Sequence, residues 1–582
     1  MILAIVLSAI VLLGWSLVTE TWFPAANPPA TKIEKGREVP VAQPSADPAA
    51  DSPSAIRDRR IVLAETSRVR IETPRLSGSI NLRGARIDDL LLTTERETVG
   101  RNSAPIRLFS PSGAPDSYFG EFGWTPQEGV RVPDAGTVWQ ASGTRLSPTT
   151  PVTLSWDNGQ GQTFQLLFSV DQAYLFTVEQ RVLNRGAGAV ASRPYGLVSR
   201  VGPSRDLDSW TVHVGPMGVF DGAADYDNDY SSVAEEGPRR YTSTGGWLGF
   251  TDTYWLAAVI PNQSSQVQAE FLHNSRTNAF QADYVATPSI VPPGRGHRYV
   301  SYLFAGAKEV ELLETYSESL GTPLEQAIDW GWFEWFMKPI FSLLVWLFFQ
   351  LGNFGLAIIG LTVIVRLLLY PIAQRQFASM AKMRAVQPKM KALQERYADD
   401  RMKLQEETMK LYREEKLNPV AGCLPILLQI PIFYALYKVL LVSVEMRHEP
   451  FYLWIRDLSA PDPLTPVNLF GYLPFTPPSI LAVGVLPIIV GVTMWMQFKL
   501  NPQMPDPVQR QVFALMPWVL MFVMAPFAAG LQLYWATNNI LSIAQQRMLY
   551  ARHPSLREPL PATAAVSGGP PPPPSPATKK KK

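Results

Sequence analysis

A long apolar run with one charge inside it is the feature that most constrains how this chain can fold. Residues 354–370 contain a single charged side chain, Arg366, and with the apolar stretch before them they are long enough to cross a bilayer. A guanidinium at the bilayer centre costs about 2.5–3.5 kcal/mol on insertion scales, so it indicates a functional site. The alternative is that Arg366 snorkels towards the headgroups, because Pro371 and Gln374 lie just beyond it.

Further apolar segments predict a polytopic α-helical membrane protein. Six spans are expected: an amino-terminal anchor at 1–20, and segments at 342–371, 419–442, 479–498, 512–527 and 530–547. The first segment could instead be a cleaved signal peptide, but it has no basic residues at its start and no convincing cleavage site. The last two segments could form one kinked helix; Pro526 and Gly530 favour a hairpin.

The distribution of lysine and arginine predicts the orientation of these spans. The loop 372–418 contains eleven of them, the tail 548–582 with Arg547 contains seven, and the loop 499–511 contains two. The opposing loop 443–478 contains only two. Because cytoplasmic loops carry the excess of positive charge, the first three regions are expected in the cytoplasm.

The first half of the chain has a different character. Residues 21–59 are rich in Pro, Ala, Ser and Asp and predict a disordered linker. Between 60 and 320, short β-branched and aromatic runs alternate with turn residues, which predicts a large extracytoplasmic all-β sandwich. Residues 330–341, with three tryptophans, suit an interfacial helix, although they could also begin the next span. The one cysteine, Cys423, excludes an intrachain disulfide.

The cytoplasmic loop 372–418 predicts a helical hairpin, because apolar residues recur at helical spacing on both sides of Asp399-Asp400. Two amphipathic helices could simply pack on each other. Alternatively, their methionines could offer an adaptable apolar surface to a client segment. The tail 548–582 ends in five prolines and four lysines and predicts a disordered basic segment that attracts ribosomal RNA or anionic lipid without sequence specificity.

Catalytic signatures are not found in the sequence. There is no phosphate-binding loop, no H-E-x-x-H, no G-x-S-x-G and no C-x-x-C, so neither an enzyme nor a cofactor is expected. The predicted spans do contain neutral polar residues, which would be costly if they faced lipid. Together with Arg366 they suggest a shared hydrated concavity in which water is the partner of the guanidinium; they are Thr362, Gln429, Thr493, Gln497, Gln532, Tyr534, Trp535, Thr537 and Asn538.

Several segments from residue 352 to 550 resemble the YidC/Oxa/Alb family of membrane-protein insertases. They are VIVRLLLYP, SMAKMRAVQPKM, NPVAGCLPILLQIPIFYALY, FYLWIRDLSAPDP and MPWVLMFVMAPFAAGLQLYWATNN, in order and at plausible spacing. The large extracytoplasmic domain resembles the Gram-negative form, in which it is a periplasmic β-supersandwich. Trp535 stands where a second tyrosine is common, and the proline-rich tail departs from the pattern.

The resemblance implies a five-helix insertase core in the bacterial inner membrane, with a hydrophilic groove that moves apolar segments of nascent proteins into lipid. It implies a groove with Arg366, Thr362 and Gln429 on its wall and with Tyr534 and Trp535 along the path of the substrate. The polar residues Gln532 and Asn538 of the last apolar segment are predicted to belong to the same groove. The resemblance also implies that the hairpin receives the nascent chain, through Met380, Lys382, Met383, Arg384, Pro388 and Met390. Expected partners are nascent membrane proteins, the ribosome, the Sec translocon with its accessory subunits, and lipids.

Three other functions are compatible with parts of the sequence. A secondary transporter with an extracytoplasmic binding domain would need an ion or substrate site, and carboxylates are scarce in the predicted spans. A membrane-tethered glycan enzyme is supported only by the general association of β-sandwiches with carbohydrate. A chaperone that folds clients without inserting them is not separable from an insertase by sequence.

Overall fold

The computed structural model describes residues 32–34, 37–39, 56–100, 102–126, 129–206, 211–374, 424–473, 475, 482–500 and 507–552, with parts of 386–415. The chain divides into two compact units. A β-rich unit comprises the described parts of 1–95, 105–307 and 311–327. A helical unit comprises the described parts of 96–104, 308–310 and 328–582.

Twenty-three strands form in the described residues. In chain order they are β1 (Lys32–Glu34), β2 (Arg37–Val39), β3 (Arg68–Glu72), β4 (Leu76–Asn81), β5 (Arg86–Arg96), β6 (Pro105–Phe109), β7 (Tyr118–Trp124), β8 (Gln140–Ala141), β9 (Arg145–Leu146), β10 (Val152–Asp157), β11 (Gln162–Val170), β12 (Leu175–Asn184), β13 (Val190–Ser192), β14 (Pro194–Val201), β15 (Gly215–Phe220), β16 (Ala223–Asp225), β17 (Arg239–Thr244), β18 (Trp247–Thr251), β19 (Trp255–Ile260), β20 (Gln266–Asn274), β21 (Ala279–Ala286), β22 (Ser289–Val291) and β23 (Gly296–Ala307).

Two large sheets build the β-rich unit. One has nine strands in the order β16-β15-β18-β19-β23-β12-β11-β10-β8, and the other has ten, β17-β20-β21-β14-β7-β5-β4-β3-β9 with β6 beside β5. Burial alternates strictly along β11, as a strand with one buried face requires. The sheets pack closely: a Cβ at Gly120 of β7 would lie 3.0 Å from the Leu303 side chain of β23, which would have to shift to accommodate it.

A buried carboxyl on β21 makes this unit sensitive to pH. Asp283 is buried, accepts a 2.8 Å hydrogen bond from Gln281 Nε2, and lies opposite Glu270 of β20 in the strand register. Burial raises the pKa of the Asp283 carboxyl from 3.8 to about 7, and the Glu270 carboxylate acts in the same direction. The ionised form is therefore disfavoured in the folded state.

Replacing this carboxyl should remove a pH-dependent loss of stability. Because the pKa of Asp283 is higher in the folded than in the unfolded state, the protein loses stability as pH rises from about 4 to about 7. Asp283→Asn should abolish that slope and stabilise the unit at pH 8 by up to about 4 kcal/mol, at about 1.4 kcal/mol per pKa unit. Hydrogen exchange of peptides covering 279–286 in the full-length protein, corrected for intrinsic rates, measures this. Equal protection of both proteins at pH 8 would contradict it.

Ten α-helices have defined bounds in the described residues. They are α1 (Arg59–Ala64), α2 (Tyr230–Glu235), α3 (Val310–Leu320), α4 (Glu334–Leu351), α5 (Phe354–Leu368), α6 (Arg401–Glu414), α7 (Leu424–Val442), α8 (Val485–Leu500), α9 (Pro507–Met524) and α10 (Ala529–Arg552). Short 3₁₀ helices lie at Leu324–Ala327, Val444–Met446 and Pro466–Gly471. In the helical unit α5 packs against α4 and α10, and α8 packs against α9 and α10.

The first apolar helix of this unit begins and ends elsewhere than the sequence predicts. No helix boundary lies at 341/342; α4 continues from Glu334 to Leu351, and the expected span 342–371 is shared between α4 and α5. Gly352 ends α4 in the left-handed conformation, with φ 66°, and its N–H bonds the Phe348 carbonyl. The Asn353 side chain then caps α5 by accepting from Leu356 N at 3.1 Å.

Two separate helices, α9 and α10, occupy residues 507–552, joined by a tight connection at 525–528. The first N–H groups of α10 are satisfied by the connection between α7 and α8, because Ala529 N bonds Ala460 O at 2.8 Å and Gly530 N bonds Leu458 O at 2.9 Å. A Cβ at Gly530 would lie 3.1 Å from that Leu458 oxygen, so glycine permits the close approach.

By length and composition, one helix of the described residues, α4, can cross a membrane. Four shorter apolar helices accompany it, at Phe354–Leu368, Leu428–Val442, Val485–Leu500 and Arg510–Met524. The number of six spans therefore stays a prediction.

Several predicted segments lie wholly or largely outside the described residues. These are the anchor 1–20, residues 375–385 in the first part of the hairpin 372–418, and nearly all of the tail 548–582. Of the linker 21–59, expected to be disordered, β1 and β2 form an antiparallel pair with Ile33 opposite Glu38, which differs from the expectation. The β-branched Ile33 and Val39 suit such a pair.

Candidate functional site

Helices α5 and α10 place the guanidinium of Arg366 against a polar stripe. Arg366 lies in the last turn of α5 and is half-buried. Its Nε donates to Asn538 Oδ1 at 2.7 Å, and its Nη2 donates to the Asn538 carbonyl at 3.2 Å and to Ser542 Oγ. Ser542 Oγ in turn donates to the Asn538 carbonyl at 2.7 Å. The arginine is therefore held by an amide, a carbonyl and a hydroxyl, all of them uncharged.

The structure gives Arg366 partners from the protein itself, where the sequence suggested water. No ion pair joins Arg366 to an acidic side chain in the part of the chain that the structure describes. Instead, residues four apart on α10 supply the acceptors, since positions i and i+4 share one helix face. Asn538 was predicted from the sequence, whereas Ser542 was not, although its spacing from Asn538 could have indicated it.

The stripe continues one turn earlier along α10. Tyr534 is 2% exposed, and its hydroxyl accepts a hydrogen bond from Gln429 Nε2 of α7. Trp535 packs edge-on against Phe433 of α7, with ring centroids 4.9 Å apart. Tyr534, Asn538 and Ser542 thus follow one another at four-residue intervals, and they connect α10 to α7 at one end and to α5 at the other.

Thr362 and Gln532 have different surroundings from those predicted. Thr362 lies one turn before Arg366 but is buried, and its hydroxyl donates to the Ile358 carbonyl of its own helix at 2.7 Å. Gln532 is also buried, and its Nε2 donates to the carbonyls of Met524 and Phe527, each at 2.8 Å, which stabilises the connection between α9 and α10. Its contacts are with this connection rather than with Arg366.

Only Met390 of the predicted hairpin residues is described. It is buried with Val386 and Leu411, and its sulfur accepts from Thr408 Oγ1 at 3.7 Å. For this methionine, packing between hairpin segments is what the structure shows. Met380, Lys382, Met383, Arg384 and Pro388 lie outside the described residues.

A buried lysine inside a predicted span was missed in the sequence. Lys438 of α7 has a side chain that is 2% exposed, and its Nζ lies 3.1 Å from Asp329 Oδ2 in the segment before α4. Its position inside the predicted span 419–442 was the available signal. Asn539, the neighbour of Asn538, was also missed; its Nδ2 donates to Thr493 Oγ1 of α8 at 3.1 Å.

Apolar surface lies close in sequence to the polar stripe. Ile430 of α7, next to Gln429, is exposed. Helix α9 has exposed apolar residues at helical spacing along most of its length, namely Val512, Leu515, Trp518, Val519, Phe522 and Val523. The same unit therefore carries a polar stripe and a separate apolar surface. Within the described residues no group of three His, Cys, Asp or Glu side chains is placed to hold a metal ion.

Comparison with known proteins identifies the family to which this chain belongs. The profile described as 60Kd inner membrane protein matches residues 346–556, and the profile described as YidC periplasmic domain matches 68–343. A protein named Membrane protein insertase YidC from Zymomonas mobilis is 46% identical over 562 residues, which cover 96% of both chains. Proteins of the same name from Bradyrhizobium diazoefficiens and Rhizobium etli are 43% and 45% identical, each over 95% of this chain and 96% and 95% of their own. This similarity over nearly the whole length shows that the chain belongs to the YidC family of membrane protein insertases.

Proposed function

We propose that this protein inserts apolar segments of nascent membrane proteins into the bacterial inner membrane and assists their folding. The observation that carries the proposal is the polar stripe of α10, with Arg366 and Gln429 hydrogen-bonded to it, in a unit whose helices also expose apolar side chains. The names of the full-length relatives support an insertase, and they do not favour a secondary transporter.

The polar tail of a client occupies the stripe first. Acidic groups in that tail are attracted by Arg366, whose guanidinium keeps its charge at any physiological pH. The adjoining apolar segment moves along the exposed faces of α7 and α9 into lipid. Burial of apolar surface is worth about 25 cal/mol per Å², so a segment of about 20 residues offsets the transient cost of moving a short polar tail. Partition drives insertion, and neither a nucleotide nor catalytic chemistry is required of this chain.

The charge distribution supports a topology in which the hairpin loop and the tail face the cytoplasm and the β-rich unit faces the periplasm. We infer a multi-pass protein with six spans, of which the last five form the insertase core. Its basic cytoplasmic regions suit contact with a ribosome, which brings the nascent chain to the groove. We also propose that the protein inserts clients either alone or together with the Sec translocon and its accessory subunits.

Reconstitution tests this function directly. The purified full-length protein is placed in liposomes and supplied with a short client that has an acidic tail and one apolar segment, synthesised in vitro. Proteoliposomes should protect the translocated tail from protease, and empty liposomes should not. Equal protection with and without the protein would refute insertase activity.

A further inference from the structure

The partners of Arg366 use only one edge of its guanidinium. Nε and Nη2 donate to Asn538 and Ser542, whereas Nη1 has no hydrogen-bond partner among the described residues. Both partners lie on α10 and are nearly buried, with Asn538 9% and Ser542 4% exposed. The arginine is therefore fixed in orientation, and one of its nitrogen donors remains available.

The chemistry of these partners decides what charge the site presents. Amide, carbonyl and hydroxyl oxygens accept hydrogen bonds from a guanidinium without cancelling its unit charge. A carboxylate in the same place would form a charge-assisted pair with the Nε and Nη2 edge and would neutralise the site. Away from bulk water this difference is large, since electrostatic interactions strengthen as the dielectric constant falls.

We propose that Asn538 and Ser542 are positioning residues that make the site selective for acidic client tails. They hold Arg366 by its Nε and Nη2 edge, leave its charge uncompensated, and leave Nη1 to bind a carboxylate of the client. This inference rests on the proposed insertase function. It adds that the neutrality of position 538, as well as the charge at position 366, determines which tails the site accepts.

Asn538→Asp tests the proposal because it changes charge with almost no change in shape. Each variant is reconstituted and supplied with two clients that differ only in tail residues, Asp in one and Asn in the other. The readout is the ratio of their insertion rates, which cancels general damage to the protein. For Asn538→Asp the ratio should fall by about tenfold, because the new carboxylate neutralises the guanidinium and the bond from Nη1 to the client carboxylate loses its charge assistance.

Asn539→Asp is the matched control. It introduces the same charge one residue further along α10, next to Thr493 instead of Arg366, and should leave the ratio of the two clients unchanged. If Asn538→Asp does not fold, Ser542→Asp places a carboxylate beside Nη2 and should lower the ratio in the same way. An unchanged ratio in whichever of these two variants folds overturns the proposal.

One further variant distinguishes a failure of this inference from a failure of the charge mechanism on which it rests. Arg366→Ala should remove the preference for the acidic tail. If Arg366→Ala removes it and Asn538→Asp keeps it, the charge mechanism stands and the role of Asn538 is refuted. If Arg366→Ala itself keeps the preference, acidic tails are not recognised by this arginine, and both the charge mechanism and the inference fail.

Discussion

Arg366→Ala should slow the insertion of a client with an acidic tail by about ten- to a hundredfold, the effect of losing a hydrogen bond to a charged group of 1.5–3 kcal/mol. The loss arises because the stripe on α10 offers neutral acceptors and no second cation to the tail. Arg366→Lys should retain more activity than Arg366→Ala, since it keeps the charge that attracts the tail but loses the two-point contact with Asn538. The measurement is the initial rate at which the client tail becomes protease-protected in proteoliposomes.

A client with a neutral tail is the control for this experiment. Its rate should change little in Arg366→Ala, because its apolar segment still partitions along the exposed faces of α7 and α9. Equal insertion of the acidic client by the wild type and both variants would remove Arg366 from the mechanism.

Asp329→Asn should lower the free energy of unfolding of the helical unit by about 3–5 kcal/mol, the usual cost of removing one partner from a buried ion pair. The Lys438 side chain is almost completely buried and would lose the carboxylate that stabilises its charged form. The double variant Lys438→Met with Asp329→Leu should recover most of this loss, because neither charge is then buried. Titration of the purified protein with a denaturing detergent, followed by tryptophan fluorescence, compares the variants.

The pair formed by Lys338 and Glu334 on α4 is the matched control, since its Nζ–Oε1 distance is 2.6 Å but its side chains are 30% and 48% exposed. Lys338→Met should cost no more than about 0.5 kcal/mol, as for other exposed helix pairs. If Asp329→Asn costs as little as Lys338→Met, the pair at Lys438 does not hold α7 to the segment before α4.

The sequence predicts those parts of the molecule that depend on local pattern. Short β-branched and aromatic runs predict strands between 60 and 320, and β11 is one of these strands, with burial that alternates along its whole length. A lone charge in an apolar run identified Arg366, and polar residues in the last apolar segment identified Tyr534 and Asn538. Which strands pair, and which of two sheets each joins, depends on contacts between distant residues and was not predicted.

Hydrogen-bond partners are harder to predict because they bring together distant parts of the chain. Arg366 and Ser542 are separated by 176 positions, and serine is too common in helices to stand out. Gln532 was assigned to the groove because it is polar, yet its amide is used by the connection between two helices. Lys438 is a cation inside a predicted span, but its carboxylate partner lies 109 positions away.

Photocrosslinking from position 429 tests the central claim most directly. A photoreactive residue replaces Gln429, which lies beside Tyr534 in the stripe, or Phe349, which is exposed on α4 and serves as the control. Ribosome-bound nascent clients are then added, and each crosslink is assigned to either the polar tail or the apolar segment of the client. The account predicts that position 429 crosslinks to the polar tail and position 349 does not. Crosslinks from the polar tail to position 349 alone would contradict it.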